Sequence, residues 1–415
     1  MRALTLTVIT CVLAGHAAAA GLADRVTRTP ITLPHNLESS IGSWGTWGGT
    51  SLGPRLYLVP RPDGAFYLGW TDQSGTGRIS RISGGTATEI DSFPGRRLKG
   101  LVVHDDGSYA VLQWNEATET LKLVRYGPTG NQLWAPTLDT VNTEFDDWLG
   151  DARLSYGDGT YAAYYTVYGT GSWMAGHYGD QLVFVNASGS PTGGWEWGCS
   201  HSMAELVAWH PSRGWVALCS SDCYPSKGLV RDNSQNLVPS DGDCGGMVSL
   251  QLGQMAAGDD EWKAIFNAME IPPPCCDAQG IGFVRFGGPA GTVVTWLTNT
   301  SGDHERDPVM ARLPDGPSGA ERYLVGWRMD TTGGFYLAMV DGSGSLVEGP
   351  EPVSTAGISW GNRDDSFQSG TDGSVSWVFG AAGSSTLVLH TYRDDAIFAD
   401  GFESGDPSAW SSTSP

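Results

Sequence analysis

Short apolar runs alternate with acid-and-glycine turns along most of the chain, and the unit is clearest from Leu101 to Trp134. Leu101 to Val103 is apolar and stops at Asp105-Asp106-Gly107, the composition of a tight hairpin whose glycine takes positive φ. Tyr109 to Trp114 follows as an aromatic and β-branched strand. After a polar stretch, Leu121 to Tyr126 resumes with Leu121 and Leu123 on one face and Lys122 on the other. Gly127-Pro128-Thr129-Gly130 then turns the chain into a short fourth strand at Gln132 to Trp134.

The same grammar starts again at Arg55, Leu101, Arg153, Leu206, Gly282, Pro308 and Phe367. Most of these starts lie about fifty residues apart, the range of propeller blades. The spacing is irregular only between 206 and 308, where one boundary is misplaced around an insertion. A lone four-stranded meander leaves two edges open and cannot cover both of its faces. Standing such sheets in a ring lets each cover its neighbours. The expected fold is therefore all-β: a β-propeller of seven four-stranded antiparallel blades. The unit after Phe367 is one strand short, and a strand within Ser39 to Thr50 is expected to complete it. Trp70, Trp114, Trp296 and Trp327 recur at one position of the repeat and are read as packing between blades.

Composition adds the compartment. Arg2, the apolar run Leu4 to Leu13 and the small residues Ala17 to Ala20 have the layout of a signal peptide cleaved before Gly21. The expected organisation is a leader over 1–20, one propeller domain over 21–393 and a tail over 394–415. Export to the extracellular space or periplasm follows, and no later stretch is long and apolar enough to span a membrane. A formal charge of −21, with only 17% charged residues, reflects scarce Lys and Arg. Such a surface repels nucleic-acid phosphates and anionic lipid, leaving glycans, small neutral or cationic ligands and metal ions as partners.

Six cysteines follow the leader, Cys199, Cys219, Cys223, Cys244, Cys275 and Cys276, and in an exported chain they read as local disulfides. Their connectivity is not deducible from sequence. The adjacent Cys275 and Cys276 are expected to reach separate partners.

Functional groups are sought in the segments joining one blade to the next, which a propeller gathers around one end of its channel. Asp146-Asp147-Trp148-Leu149-Gly150-Asp151, Asp303-His304-Glu305-Arg306-Asp307 and Asn362-Arg363-Asp364-Asp365 are rich in acids, and His201 stands between two serines. The catalytic candidates are His201, Asp303, Glu305, Asp147 and Asp365, since carboxylates beside an imidazole can divide acid and base roles. Asp303 and Asp307 are candidate ligands for a hard cation such as Ca²⁺. Trp148, Trp197 and Trp360, with Asp146, Arg306 and Arg363, are candidate ligand-binding residues, because exposed rings beside polar groups suit the faces and hydroxyls of a sugar. Turn acids more commonly cap backbone amides, the competing explanation for each of them. No EF-hand loop, Gly-x-Ser-x-Gly elbow, His-Glu-x-x-His helix, phosphate-binding glycine loop or sialidase-type repeat is present.

The final segment, IFADGFESGDPSAWS from Ile397 to Ser411, resembles a short C-terminal segment shared by many otherwise unrelated exported bacterial proteins. That resemblance implies bacterial export and no activity. The reading is a secreted propeller that binds a carbohydrate or another neutral or cationic ligand at one face. The alternative is an extracellular carbohydrate-active hydrolase or lyase using the same carboxylates and His201.

Overall fold

The computed structural model describes residues 21–39, 55–139, 152–169, 175–201, 204–240, 244, 250–269, 278–298, 302–316, 318–361 and 366–394. Its strands form seven antiparallel sheets arranged as the blades of a β-propeller. Blade one contains β2 (Leu56–Pro60), β3 (Phe66–Thr71), β4 (Gly77–Ser83) and β5 (Thr86–Phe93). Blade two contains β6 (Arg97–Val103), β7 (Tyr109–Asn115) and β8 (Thr120–Tyr126), with β9 (Gln132–Trp134) and β10 (Thr137–Asp139) both paired to β8. Blade three runs through β11 (Ala152–Gly157), β12 (Thr160–Tyr168), β13 (Tyr178–Asn186) and β14 (Pro191–Trp195). Blade four runs through β15 (Glu205–His210), β16 (Gly214–Ser221), β17 (Gly228–Arg231) and β18 (Gln235–Pro239). Blade five is β19 (Leu250–Ala257), β20 (Trp262–Ala268), β21 (Gly280–Gly288) and β22 (Gly291–Trp296). Blade six is β23 (Glu305–Leu313), β24 (Arg322–Met329), β25 (Phe335–Asp341) and β26 (Leu346–Pro352). The last blade takes β27 (Gln368–Ser369), β28 (Val375–Gly380) and β29 (Thr386–Tyr392) from the end of the chain, and β1 (Val26–Thr32) from its beginning.

That closure corrects one expectation. The completing strand is β1, which pairs with β29 from Val26↔Tyr392 to Thr32↔Thr386. It is not drawn from Ser39 to Thr50, of which 40–50 lie outside the described residues. Pro30 is tolerated because β1 is an outermost strand with one side unpaired. A second correction concerns blade five, which begins at Leu250. Ile281 to Phe286 is its third strand rather than the start of a unit.

Buried apolar side chains among the described residues fall into seven clusters, each spanning the seam between two neighbouring blades. Each sheet is thus covered by its neighbours, as the open-edge constraint requires. Trp70, Trp114 and Trp327 lie on second strands and are buried, as are Trp262 and Trp377. Trp296, expected at the same position, instead ends an outermost strand and is only half-buried.

Strand direction alternates within each blade. The outer-to-inner connections and the hairpins between second and third strands therefore share one rim, here called the upper rim. The other hairpins share the lower rim. On the lower rim the acid–glycine turns take the predicted form: Gly107 sits at φ 80°, and the Asp106 carboxylate accepts from the Ser108 amide and hydroxyl at 2.9 and 2.6 Å.

Candidate functional site

The acidic stretch Asp303 to Asp307 reaches the upper rim, where its groups are committed to holding the loop. The Asp303 carboxylate accepts from the amide of Thr331 at 3.0 Å and from its hydroxyl. Those bonds hold Asp303 below the usual aspartate range. Glu305 is 1% exposed and its carboxylate accepts from the hydroxyl of Thr298. Arg306 is paired with Asp330 at 2.8 Å. Asp307 is buried, accepts from Arg328 at 2.7 Å and from Gln251 at 3.2 Å, and occupies left-handed backbone at φ 54°. Trp360 donates from its indole to the Asp307 carbonyl at 3.1 Å.

Two expectations are corrected here. Glu305 is a buried strand residue rather than a carboxylate open to substrate. Trp360, expected at a ligand face, is 3% exposed between Phe335 and Phe367, because it fills the seam between blades six and seven. Asp303 and Asp307 are not brought into any set of three or more close protein ligands among the described residues. Among the described residues, such a set within 4.8 Å comprises Asp180, Cys199 and Cys219, and both sulfurs there are bonded to each other. Asp146, Asp147, Trp148, Arg363 and Asp365 lie outside the described residues, as do Cys275 and Cys276. The segment around the adjacent cysteines joins β20 to β21 rather than one blade to the next.

A different constellation forms on the upper rim of blades three and four. Cys199 pairs with Cys219 and Cys223 with Cys244. The first bridge ties the segment entering β15 to the end of β16, and the second anchors the β16–β17 hairpin. Within this frame Ser200 donates to Asp222 at 2.5 Å and accepts from the Tyr224 amide at 2.8 Å, while Ser221 donates to the Tyr224 carbonyl at 2.6 Å.

His201 lies across the same carboxylate, with Nδ1 2.9 Å from Asp222 Oδ2. Burial would push the Asp222 pKa up, but the adjacent His201 imidazole and the Ser200 hydrogen bond outweigh it and hold the group below the usual aspartate range. His201 is at φ 50°, and its amide donates to the Tyr178 carbonyl at 2.8 Å. The ring centroid of His177 is 5.4 Å from that of His201, at 82° between planes. Tyr178 packs edge-on to Tyr168 at 5.2 Å.

Trp197 and Tyr224 complete the surface, with ring centroids 5.5 Å apart. Trp197 packs over Gly179 so closely that a Cβ there would lie 2.4 Å from its ring. Tyr224 remains 40% exposed. Sequence reasoning picked out His201 and Trp197 but missed His177 and Tyr224 as site residues. The signals were the glycine-rich segment before His177 and the placement of Tyr224 directly after a cysteine.

Beneath this surface Asp180 is fully buried, accepting from the Tyr164 hydroxyl at 2.6 Å and the Trp195 indole at 3.0 Å. Burial pushes its pKa up to about 7 against those two bonds. Elsewhere, a cavity of about 350 Å³ opens between the inner strands of blades four to seven. The Gln254 side chain crosses that region, accepting from the amides of Met310 and Phe367 and donating to the Phe367 carbonyl at 2.8 Å.

The chain is thus a seven-bladed β-propeller carrying a disulfide-braced patch of aromatic rings and imidazoles. No family model and no curated protein matches it. Among solved structures, it is similar to a chain of the crystal structure of the Mitotic Checkpoint Complex, at 9% identity, 94% of this chain, 99% of that one and TM-score 0.49. It is also similar to the GH93 alpha-L-arabinofuranosidase of Fusarium graminearum in complex with arabinobiose, at 10% identity, 86% and 97% coverage and TM-score 0.47. AofleA from Arthrobotrys oligospora aligns at 11% identity, 78% and 95% coverage and TM-score 0.39. Likeness at these levels assigns no chemistry.

Proposed function

We propose that the protein is an exported carbohydrate-binding propeller whose ligand surface is the upper rim over blades three and four. The observation carrying this reading is the exposed Tyr224 ring set against Trp197, beside the His177–His201 pair, on backbone pinned by two disulfides. Rings with one exposed face suit the apolar face of a sugar, and neighbouring imidazole and hydroxyl groups suit its hydroxyls. A braced loop loses little conformational freedom on binding, which favours recognition by a preformed surface. Disulfide bonds, and the absence among the described residues of any helix able to cross a membrane, are compatible with export.

The hydrolase or lyase alternative has less support. It needs two accessible carboxylates roughly 5 to 10 Å apart, and of its candidates among the described residues Glu305 is buried and Asp303 is engaged by Thr331. Asp222 is held ionised and so is unsuited to donate a proton.

The test is a glycan array followed by calorimetry on each hit. Tyr224→Ala and Trp197→Ala are expected to weaken binding at least tenfold. Tyr224→Ala, at an exposed ring, is expected to leave the melting temperature unchanged. Hits indifferent to both substitutions, or an array without hits, would refute the assignment. Turnover of a hit that disappears in His201→Ala would transfer it to the enzyme class.

A further inference from the structure

We infer that the lower part of the central channel is a binding site for an uncharged, polyhydroxylated molecule of monosaccharide size. It is separate from the surface at Tyr224, and neither site requires the other.

The first support is the place and size of the cavity. Its wall is made by the last four residues of β19, by Met310 to Arg312 near the end of β23 and by Phe367 with β27, and is completed by Leu206 to Ala208 of β15. Inner strands descend from the upper to the lower rim, so the cavity sits toward the lower one. Trp197 and Tyr224 stand on the other. A volume of about 350 Å³ falls at the small end of the range of about 300–1,000 Å³ for small-molecule sites.

The second support is the chemistry of the wall. β15, β19, β23 and β27 each end their sheet, and an end strand turns the N–H and C=O groups of alternate residues away from its neighbour. Four such edges face the channel. Some of these groups are already answered: Gln254 accepts from the Met310 and Phe367 amides, and Ser369 donates to the Arg312 carbonyl at 2.6 Å. The rest present donors and acceptors together, and a covered group of either kind needs a partner. A hydroxyl both donates and accepts, so a molecule carrying several of them matches mixed edges, whereas a carboxylate only accepts. Gln254, 6% exposed, adds a directed contact, since its amide nitrogen gives one N–H to the Phe367 carbonyl at 2.8 Å and keeps the second for a ligand oxygen.

The third support is charge. Among the described lining residues only Arg312 is charged, and its guanidinium already meets Asp259 at 2.6 Å and Asp315 at 2.9 Å. The wall has no spare charge for an ion. Met255, Met310 and Phe367 supply apolar surface for the C–H face of a sugar ring.

The test is NMR of the protein with isotope-labelled methionine methyls, titrated with neutral aldohexoses and aldopentoses and, as the charged control, with glucuronate. Saturable shifts of the Met255 and Met310 methyls, assigned with Met255→Leu and Met310→Leu, are expected for at least one neutral sugar. Glucuronate is expected to bind at least tenfold more weakly. Ala208→Leu and Ala256→Leu, at half-buried positions of the wall, are expected to fill the cavity and weaken binding at least tenfold, with the rest of the methyl spectrum retained. Tyr224→Ala, on the other rim, is expected to leave the shifts unchanged. No saturable shift at either methyl with any sugar of the panel would overturn the inference. So would glucuronate binding as tightly as the best neutral sugar, binding that survives both cavity-filling substitutions, or shifts that vanish in Tyr224→Ala.

Discussion

At the scale of the residue, what distinguishes the acids of this protein is whether their surroundings provide donors or only cover. Asp72, Asp106, Asp341 and Asp372 each accept from serine and backbone donors within their own turn, and their pKa values lie below the ordinary range. Asp180 has two donors but complete burial, and the burial dominates. Its folded pKa of about 7 stands above the ordinary 3.8. Its contribution to stability is therefore fully present below about pH 3.8 and is lost as pH rises through about 7. Asp180→Asn is expected to flatten that decline in melting temperature, whatever it does to the absolute value. An equally steep decline in the variant would show that the slope arises elsewhere.

At the scale of the element, the predictions concern what fastens strands together. Ile31 is fully buried where β1 meets the last and first blades. Ile31→Ala should cost about 2–5 kcal/mol, read from chemical denaturation. The Cys199–Cys219 bridge closes a separation of 20 residues. Replacing both cysteines by serine should cost about 3 kcal/mol on the chain-entropy account, and an unchanged denaturation midpoint would count against the bridge as a brace.

The blades were legible wherever an apolar run met an acid–glycine turn, as at Val103 to Gly107. Blade five hid because its first strand, LQLGQMAA, carries Gly253 and two glutamines, and its turn at Asp259-Asp260 lacks the usual following glycine. The glutamines are there to bond across blades, Gln251 to Asp307 and Gln254 to Phe367, which is information about partners rather than pattern. The closing strand VTRTPIT was equally quiet, since an outer strand buries few side chains. The run from Asp303 to Asp307 drew attention by its charge, yet spacing alone cannot tell an acid that holds a loop from one that faces a ligand. His177 and His201 are 24 positions apart, and only the packing of two blades makes them neighbours.

At the scale of the whole molecule, the propeller sets two rims with different duties. The lower rim carries mostly short turns of the acid–glycine type, while the upper rim carries the disulfides and the exposed aromatic patch. The export reading makes a prediction at this scale: expression in a bacterial host with a functioning secretion pathway should yield protein beginning at Gly21, measured by intact mass. A product that retains Met1 would contradict it. Gly21 and Leu22 already belong to the folded ring, since Leu22 is fully buried and its amide bonds Glu351 at 2.6 Å. At the other end Asp394, placed in the tail by sequence, is buried against Arg25 and Arg322.

The pairing of β1 with β29 sets the order of synthesis against the order of assembly. The strand β1 leaves the ribosome before every other strand of the ring, yet its hydrogen-bonding partner β29 is made after all of them. A chain cut short between residues 353 and 385 retains its first six sheets but leaves the ring unlocked, with β1 unmatched and the face of blade one uncovered. Completion of the polypeptide is thereby checked by the architecture itself.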